Sequence, residues 1–160
     1  ENLLRITDIL GLGQTMSGGI KSRFVIWSLK NNPEKSVFLS NSTDGLETII
    51  NASLGDTGDF IRISVSRSDA ERFSMFELKK NSKERVILAN LDSDKWKFYE
   101  KGELLDFENK EYYSRRPIKK RLNYEIINEY LEANNWHLND PTFWHSTKAI
   151  YFIETKWPSE

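Results

Sequence analysis

Several residue types that carry chemistry are scarce or missing in this chain of 160 residues. It contains no cysteine, which excludes disulfide bonds, thiol catalysis and cysteine-ligated metal sites and is compatible with a reducing cytoplasm. No apolar run approaches the roughly 20 residues of a membrane span, and the first residues, Glu1 to Arg5, lack the pattern of a signal peptide. We therefore expect a cytoplasmic protein that has no membrane partner.

An excess of one charge sign is also missing. The net charge is −1 although 29% of the residues are charged, so the chain as a whole does not resemble a nucleic-acid-binding protein, and only local clusters can favour a charged partner. The length suits one hydrophobic core. We predict a single domain that spans residues 1–160.

The clearest helix signal lies in the last forty residues. Apolar residues from Ile126 to Leu131 recur at helical spacing, Asn123 is placed to cap the first turn, and Asn134 and Asn135 can end the helix. A second amphipathic helix of about ten residues is predicted after Asp44, where a capping-box pattern precedes regularly spaced apolar residues.

Alternating or compact apolar runs predict the strands. Short polar turns between neighbouring runs indicate antiparallel pairing, and the mixture of strands with two helices favours an α+β fold. We predict a curved antiparallel sheet with both amphipathic helices packed on it, whereas residues 103–117 show no firm period and are left as a loop or short helix. The predicted strands are Phe24–Leu29, Val37–Ser40, Ile61–Val65, Phe73–Lys79, Arg85–Leu91, Lys95–Tyr99 and Ala149–Ile153.

Patterns for catalysis or metal binding are incomplete. The glycine-rich stretch 11–19 misses the P-loop register, because Gly18 is followed by Gly19 and Ile20 rather than by lysine and Ser/Thr. His137 and His145 lie eight residues apart without a third ligand in a recognisable pattern. We predict no catalytic residue, no metal site and no cofactor, and keep a small enzyme that uses His137 or His145 as an alternative.

A basic segment precedes the final helix and supports a different alternative. Five positive charges fall within seven residues, directly after Tyr112 and Tyr113. Basic and aromatic side chains together can bind phosphates and stack on bases, although a solvated approach to the helix explains the same pattern. The residues of this basic segment, the candidate nucleic-acid contacts, are Arg115, Arg116, Lys119, Lys120 and Arg121.

An acidic and aromatic stretch lies just before it. Residues 92–111 hold seven acidic residues against four lysines, a net charge of −3, with aromatic residues interspersed. Such a surface suits a protein partner with a basic face, since charge steers association and rings supply contact area. Core packing of the rings, or a loop without a role, explains it equally well. The candidate partner-binding residues are Asp94, Trp96, Tyr99, Glu100, Glu103, Asp106 and Glu108.

In overall character the chain resembles the small cytoplasmic immunity proteins of bacterial toxin systems, including those of contact-dependent growth inhibition. The resemblance is one of type: a compact, cysteine-free domain with many aromatic residues, acidic patches and no complete catalytic set. It implies a non-catalytic inhibitor that binds a toxin domain, often a nuclease, in fixed stoichiometry, with acidic side chains covering the toxin's basic site. No residue of that family is carried over to this sequence.

Overall fold

The computed structural model describes residues 23–40, 58–65 and 72–153. These residues fall into two compact units, one formed by residues 23–40 and 139–153 and the other by residues 58–65 and 72–138. The single domain expected over residues 1–160 stays a prediction. The elements are β1 (Arg23–Ser28), β2 (Ser36–Ser40), β3 (Phe60–Ser64), β4 (Phe73–Lys80), β5 (Lys83–Asp92), β6 (Lys95–Lys101), two 3-10 helices (Lys110–Ser114 and Ile118–Lys120), the helix α1 (Tyr124–Ala133) and β7 (Ala149–Ile153).

The first unit contains a three-stranded antiparallel sheet in the order β2-β1-β7. β1 and β2 form a hairpin that is closed by a hydrogen bond from the Leu29 amide to the Lys35 carbonyl, 3.1 Å long. Val25, Trp27 and Leu29 are buried. β7 pairs with the other side of β1, with Val25 opposite Tyr151. The predicted hairpin and the predicted last strand are confirmed.

The second unit contains a four-stranded antiparallel meander in the order β3-β4-β5-β6. Two-residue turns join its last three strands: Asn81 and Ser82 have φ angles of 51° and 61°, and Ser93 and Asp94 have φ angles of 48° and 64°. Positive φ at both turn positions matches the twist of paired strands, and short polar residues tolerate it better than branched ones. The meander expected from the sequence is confirmed.

Helix α1 packs its apolar residues into the core of this second unit. The side chain of Asn123 accepts a hydrogen bond of 3.1 Å from the Ile126 amide, as the capping prediction requires, and Asn135 has a φ of 58° directly after the helix. Burial of one large apolar side chain contributes roughly 1.5–3 kcal/mol. The buried cluster contains Phe76, Leu78, Ile87, Ala89, Tyr113, Leu122, Ile126, Ile127, Tyr130 and Leu131.

The finer prediction of one curved sheet carrying two helices is corrected. The strands divide between two sheets, and α1 is the one α-helix in the described part of the chain. Local periodicity identifies a strand but does not reveal its partner, because pairing is set by contacts distant in sequence. The helix predicted after Asp44 lies outside the described residues. The segment left as a loop or short helix contains the first 3-10 helix. Within the described ranges, no helix is long and apolar enough to cross a membrane.

Candidate functional site

An arginine lies inside the second unit, at the start of β5. Arg85 is 2% exposed and alternates with the buried residues Ile87 and Ala89 along the strand. Its Nε donates a 2.8 Å hydrogen bond to Oε1 of Glu108, and its Nη2 donates 2.7 Å bonds to Oε2 of both Glu108 and Glu100. The guanidinium therefore bridges two carboxylates, and planar two-point contacts of this kind are strong when water is excluded.

Glu108 is the centre of the contacts that surround this arginine. Its side chain is 0% exposed, and it also accepts hydrogen bonds from the Leu105 amide, at 3.0 Å, and from the Tyr113 hydroxyl. The hydroxyls of Tyr113 and Tyr130 are 2.9 Å apart. The buried carboxylate is therefore compensated by charge and by hydrogen bonds. We call Arg85, Glu100, Glu108, Tyr113 and Tyr130 the Arg85 cluster.

The protonation states in the Arg85 cluster are fixed at neutral pH. Burial disfavours the guanidinium charge, but hydrogen bonds to Glu108 and Glu100 outweigh that cost and raise the pKa of Arg85. Burial and the bond to Glu108 raise the pKa of Tyr113, and burial is the main reason that the pKa of Tyr130 rises to about 12. A charged guanidinium and two neutral phenols suit a structural role better than proton transfer near neutrality.

The candidate partner-binding residues divide into exposed and buried groups. Tyr99 is 52% exposed, and the side chains of Glu100 and Glu103 are 46% and 83% exposed. Asp94 and Asp106 are exposed, while Trp96 is half-buried and packs against the core. Glu108 is corrected: its side chain belongs to the Arg85 cluster and does not reach the surface of this fold.

The exposed residues do not all lie together. Asp94 occupies the turn before β6, whereas Glu100 stands near the end of that strand, and a rise of about 3.4 Å per residue separates the two by roughly 20 Å. Tyr99 and Glu100 are close in sequence to the loop that follows β6, and this loop exposes Leu104 (44%), which the sequence reasoning missed. We call Tyr99, Glu100, Glu103, Leu104 and Asp106 the acidic surface.

Two neighbouring lysines offset part of the acidic charge. Lys83 lies 3.2 Å from Glu103, with both side chains largely exposed. Lys101 lies 2.7 Å from Glu84, and the hydrogen bond to Glu84 raises the pKa of Lys101. Exposed ion pairs of this kind contribute only about 0–1 kcal/mol. A partner can therefore displace the Lys83 contact at little cost.

The basic segment is partly committed to contacts within the unit. The guanidinium carbon of Arg115 lies 4.0 Å from the ring centroid of Tyr112, and Nε of Arg121 donates a 2.9 Å hydrogen bond to the Arg115 carbonyl. Arg116, Lys119 and Lys120 are exposed, and their side chains form no hydrogen bond or ion pair with other described residues. Three of the five predicted contacts thus remain accessible to an anion.

The two histidines have ordinary surroundings. Nδ1 of His137 contacts a carboxylate oxygen of Glu132 at the surface. His145 is exposed, and the neighbouring Ser146 hydroxyl donates a 2.7 Å bond to the Lys148 carbonyl instead of facing a base. The described residues contain no group of three side chains that could hold a metal ion. No described contact therefore activates Ser146 as a nucleophile.

Comparisons of the chain with protein-family models, with curated proteins and with solved structures found no match in any of the three. The resemblance to immunity proteins stays a prediction.

Proposed function

We propose that this chain is a non-catalytic protein-binding inhibitor that neutralises a cognate toxin domain by stoichiometric binding through the acidic surface. One observation carries the proposal: Tyr99 and Leu104 are 52% and 44% exposed, in the same stretch as the exposed carboxylates of Glu100 and Glu103. Large exposed anchors next to charges of one sign suit a partner whose binding face is apolar at its centre and basic around it.

The charge of the acidic surface favours one class of target. A domain that cleaves or modifies nucleic acid needs a basic surface for the phosphate backbone. Carboxylates on an inhibitor can occupy that surface in place of phosphates, and opposite charges accelerate the encounter. A nuclease-type toxin is therefore the partner that fits these residues best.

The Arg85 cluster supports the proposal because it fixes the acidic surface from behind. Arg85 holds one oxygen of Glu100 at 2.7 Å, and its Nη1 donates a 3.1 Å hydrogen bond to the carbonyl of Gly102. The strand end and the first residue of the loop are thereby ordered before a partner arrives. Preorganisation of this kind reduces the entropy lost on binding.

Affinity purification of the tagged protein from its native host, followed by binding measurements, tests the proposal. Tyr99→Ala and Leu104→Ser remove the apolar anchors, and loss of one central anchor costs about 2 kcal/mol, roughly thirtyfold in Kd. Glu103→Lys with Asp106→Lys should weaken binding and reduce its dependence on salt.

Asp59→Lys provides the matched control. Asp59 is exposed and precedes β3, at the opposite edge of the same sheet, so its reversal should leave affinity unchanged. The proposed surface is excluded if the partner binds the Asp59 variant and the Glu103/Asp106 variant equally well. Recovery of nucleic acid without a protein would count against the inhibitor itself.

The basic segment supports a second candidate, a nucleic-acid-binding module. The observation that favours it is the accessibility of Arg116, Lys119 and Lys120. Reversal of these three residues to Glu should abolish binding to a labelled single-stranded oligonucleotide, because phosphate contacts dominate such affinity. The same reversal at Lys80 and Lys95, two exposed lysines outside the basic segment, should have a smaller effect. Equal effects would exclude a specific role for the segment.

A further inference from the structure

Strand β7 forms an open, uncharged edge in the first unit. It is the outer strand of the sheet β2-β1-β7, and residues Ala149–Ile153 include no charged residue. Ile150 lies opposite Ile26 in the register and Tyr151 lies opposite Val25, so these two side chains are on opposite faces. They are nevertheless 61% and 39% exposed. An apolar edge strand with free backbone groups is a template for another strand.

We propose that a second copy of this chain pairs with β7, antiparallel and centred on Tyr151, and joins the two three-stranded sheets into one sheet of six strands. The sequence is self-complementary in this register. Every pair within β7 is apolar, while Lys148 precedes the strand and Glu154 follows it. The register sets Lys148 of one copy opposite Glu154 of the second copy, and two-fold symmetry repeats that pair.

Charge complementarity selects this arrangement over the alternatives. Parallel pairing of two β7 strands would place like charges together at each end, which is destabilising. A shift of the antiparallel register by two residues keeps the apolar faces aligned but separates Lys148 from Glu154. A foreign strand would need a matching charge at each end, whereas the chain itself supplies both. The inference goes beyond the proposed inhibitor, and the two stand or fall separately.

The mass of the protein in solution is the first test. Light scattering at increasing concentration should show a species of twice 18.8 kDa. Ile150→Lys should return the protein to the monomer mass, because a lysine on each copy places charge in the apolar edge. Leu104→Lys makes the same kind of change at a residue that is 44% exposed and outside β7, and it should leave the dimer intact. Circular dichroism verifies that both variants are folded.

A cysteine substitution tests the register directly, since the natural chain has no cysteine. Residues directly opposite in an antiparallel pair have Cα atoms about 4.5–5.5 Å apart, within the range that a disulfide spans. Tyr151→Cys should therefore form a covalent dimer when oxidised glutathione accepts the two electrons. Tyr99→Cys, at a more exposed tyrosine on β6, should cross-link far more slowly.

Reversal of the flanking charges separates this pairing from general stickiness. Lys148→Glu or Glu154→Lys alone should raise the dimer dissociation constant about tenfold, and the combined variant should restore it, because both contacts then re-form with exchanged signs. A monomer mass at all concentrations, equal cross-linking of the two cysteine variants, or no restoration in the combined variant would each overturn the proposed pairing.

Discussion

The outer strands β6 and β7 are both sheet edges, yet they differ in what they expose. β6 carries Lys95, Lys97, Glu100 and Lys101 among its seven residues, whereas β7 has no charge among its five. Charges on an edge oppose the addition of another strand, and an uncharged edge permits it. The comparison indicates two kinds of recognition: β6 and the loop after it offer side chains to a partner, while β7 offers its backbone.

The strongest way to break this comparison is to remove the group that fixes the end of β6. Glu108→Ala leaves the Arg85 charge, 2% exposed, without its main partner, and such a loss costs about 3–5 kcal/mol. That is a large part of the roughly 5–15 kcal/mol that stabilises a domain. Urea denaturation measures the change.

Glu103→Ala is the matched control for that variant. Glu103 pairs with Lys83 at the surface, with 83% of its side chain exposed, so its removal should cost no more than about 1 kcal/mol. Equal losses in the two variants would show that the Arg85 cluster does not stabilise the second unit.

A somewhat smaller effect is expected directly after β6. Gly102 has a φ of 89°, and a Cβ atom there would lie 2.0 Å from the carbonyl oxygen of Glu84. Gly102→Ala should therefore lower the free energy of unfolding by about 1–3 kcal/mol, since the backbone must shift or remain strained. Ser93→Gly, at a turn residue with a φ of 48°, should change it by less than about 1 kcal/mol. Thermal unfolding that ranks the two variants in the opposite order would contradict this account.

Alkaline pH should weaken the unit that contains β6 more gently. Burial raises the pKa of Tyr130 to about 12 and also raises that of Tyr113, whereas tyrosines in an unfolded chain titrate near pH 10. The unfolded state therefore loses protons first, so this contribution to stability is complete below about pH 10 and declines as the pH rises toward 12. Urea unfolding at several pH values measures the decline, and a constant free energy up to about pH 11 would contradict it.

The smallest expected effect sharpens the comparison by making β6 more like β7. In an Ile150→Lys background, Lys95→Thr with Lys97→Val removes two of the four charges on β6. Weak self-association should appear, worth about 1 kcal/mol, because the edge loses charges that keep other strands away. Sedimentation velocity detects it. Lys80→Thr with Lys110→Val, outside β6, is the control, and association in that control would point to lower solubility instead.

Elements set by local patterns could be predicted from the sequence. The turn residues Asn81 and Ser82 fix a hairpin between adjacent strands, and Asn123 caps α1 as expected. Both signals act over a few residues, so neither depends on distant parts of the chain. The division of the strands into two sheets depends on distant pairings such as Val25 with Tyr151, and no local pattern records them.

The candidate site was harder to predict, because equivalent sequence signals had different structural outcomes. Glu103 and Glu108 belong to the same acidic stretch, yet their side chains are 83% and 0% exposed. One available signal was the alternation of Arg85 with Ile87 and Ala89, which places a charge on the buried face of β5. Its carboxylate partner lies in a segment without periodicity, and sequence spacing alone could not connect them.

The position of β7 has a consequence for how the chain assembles during synthesis. β3 to β6 pair with their immediate neighbours in sequence, whereas β1 waits for a strand that ends at Ile153. Closing so long a loop costs entropy that adjacent hairpins avoid, and non-local pairing slows folding. We expect the meander to form first, leaving β1 half-paired until translation is nearly complete. Pulsed hydrogen exchange should protect β5 amides before those of β7, and simultaneous protection would contradict this order.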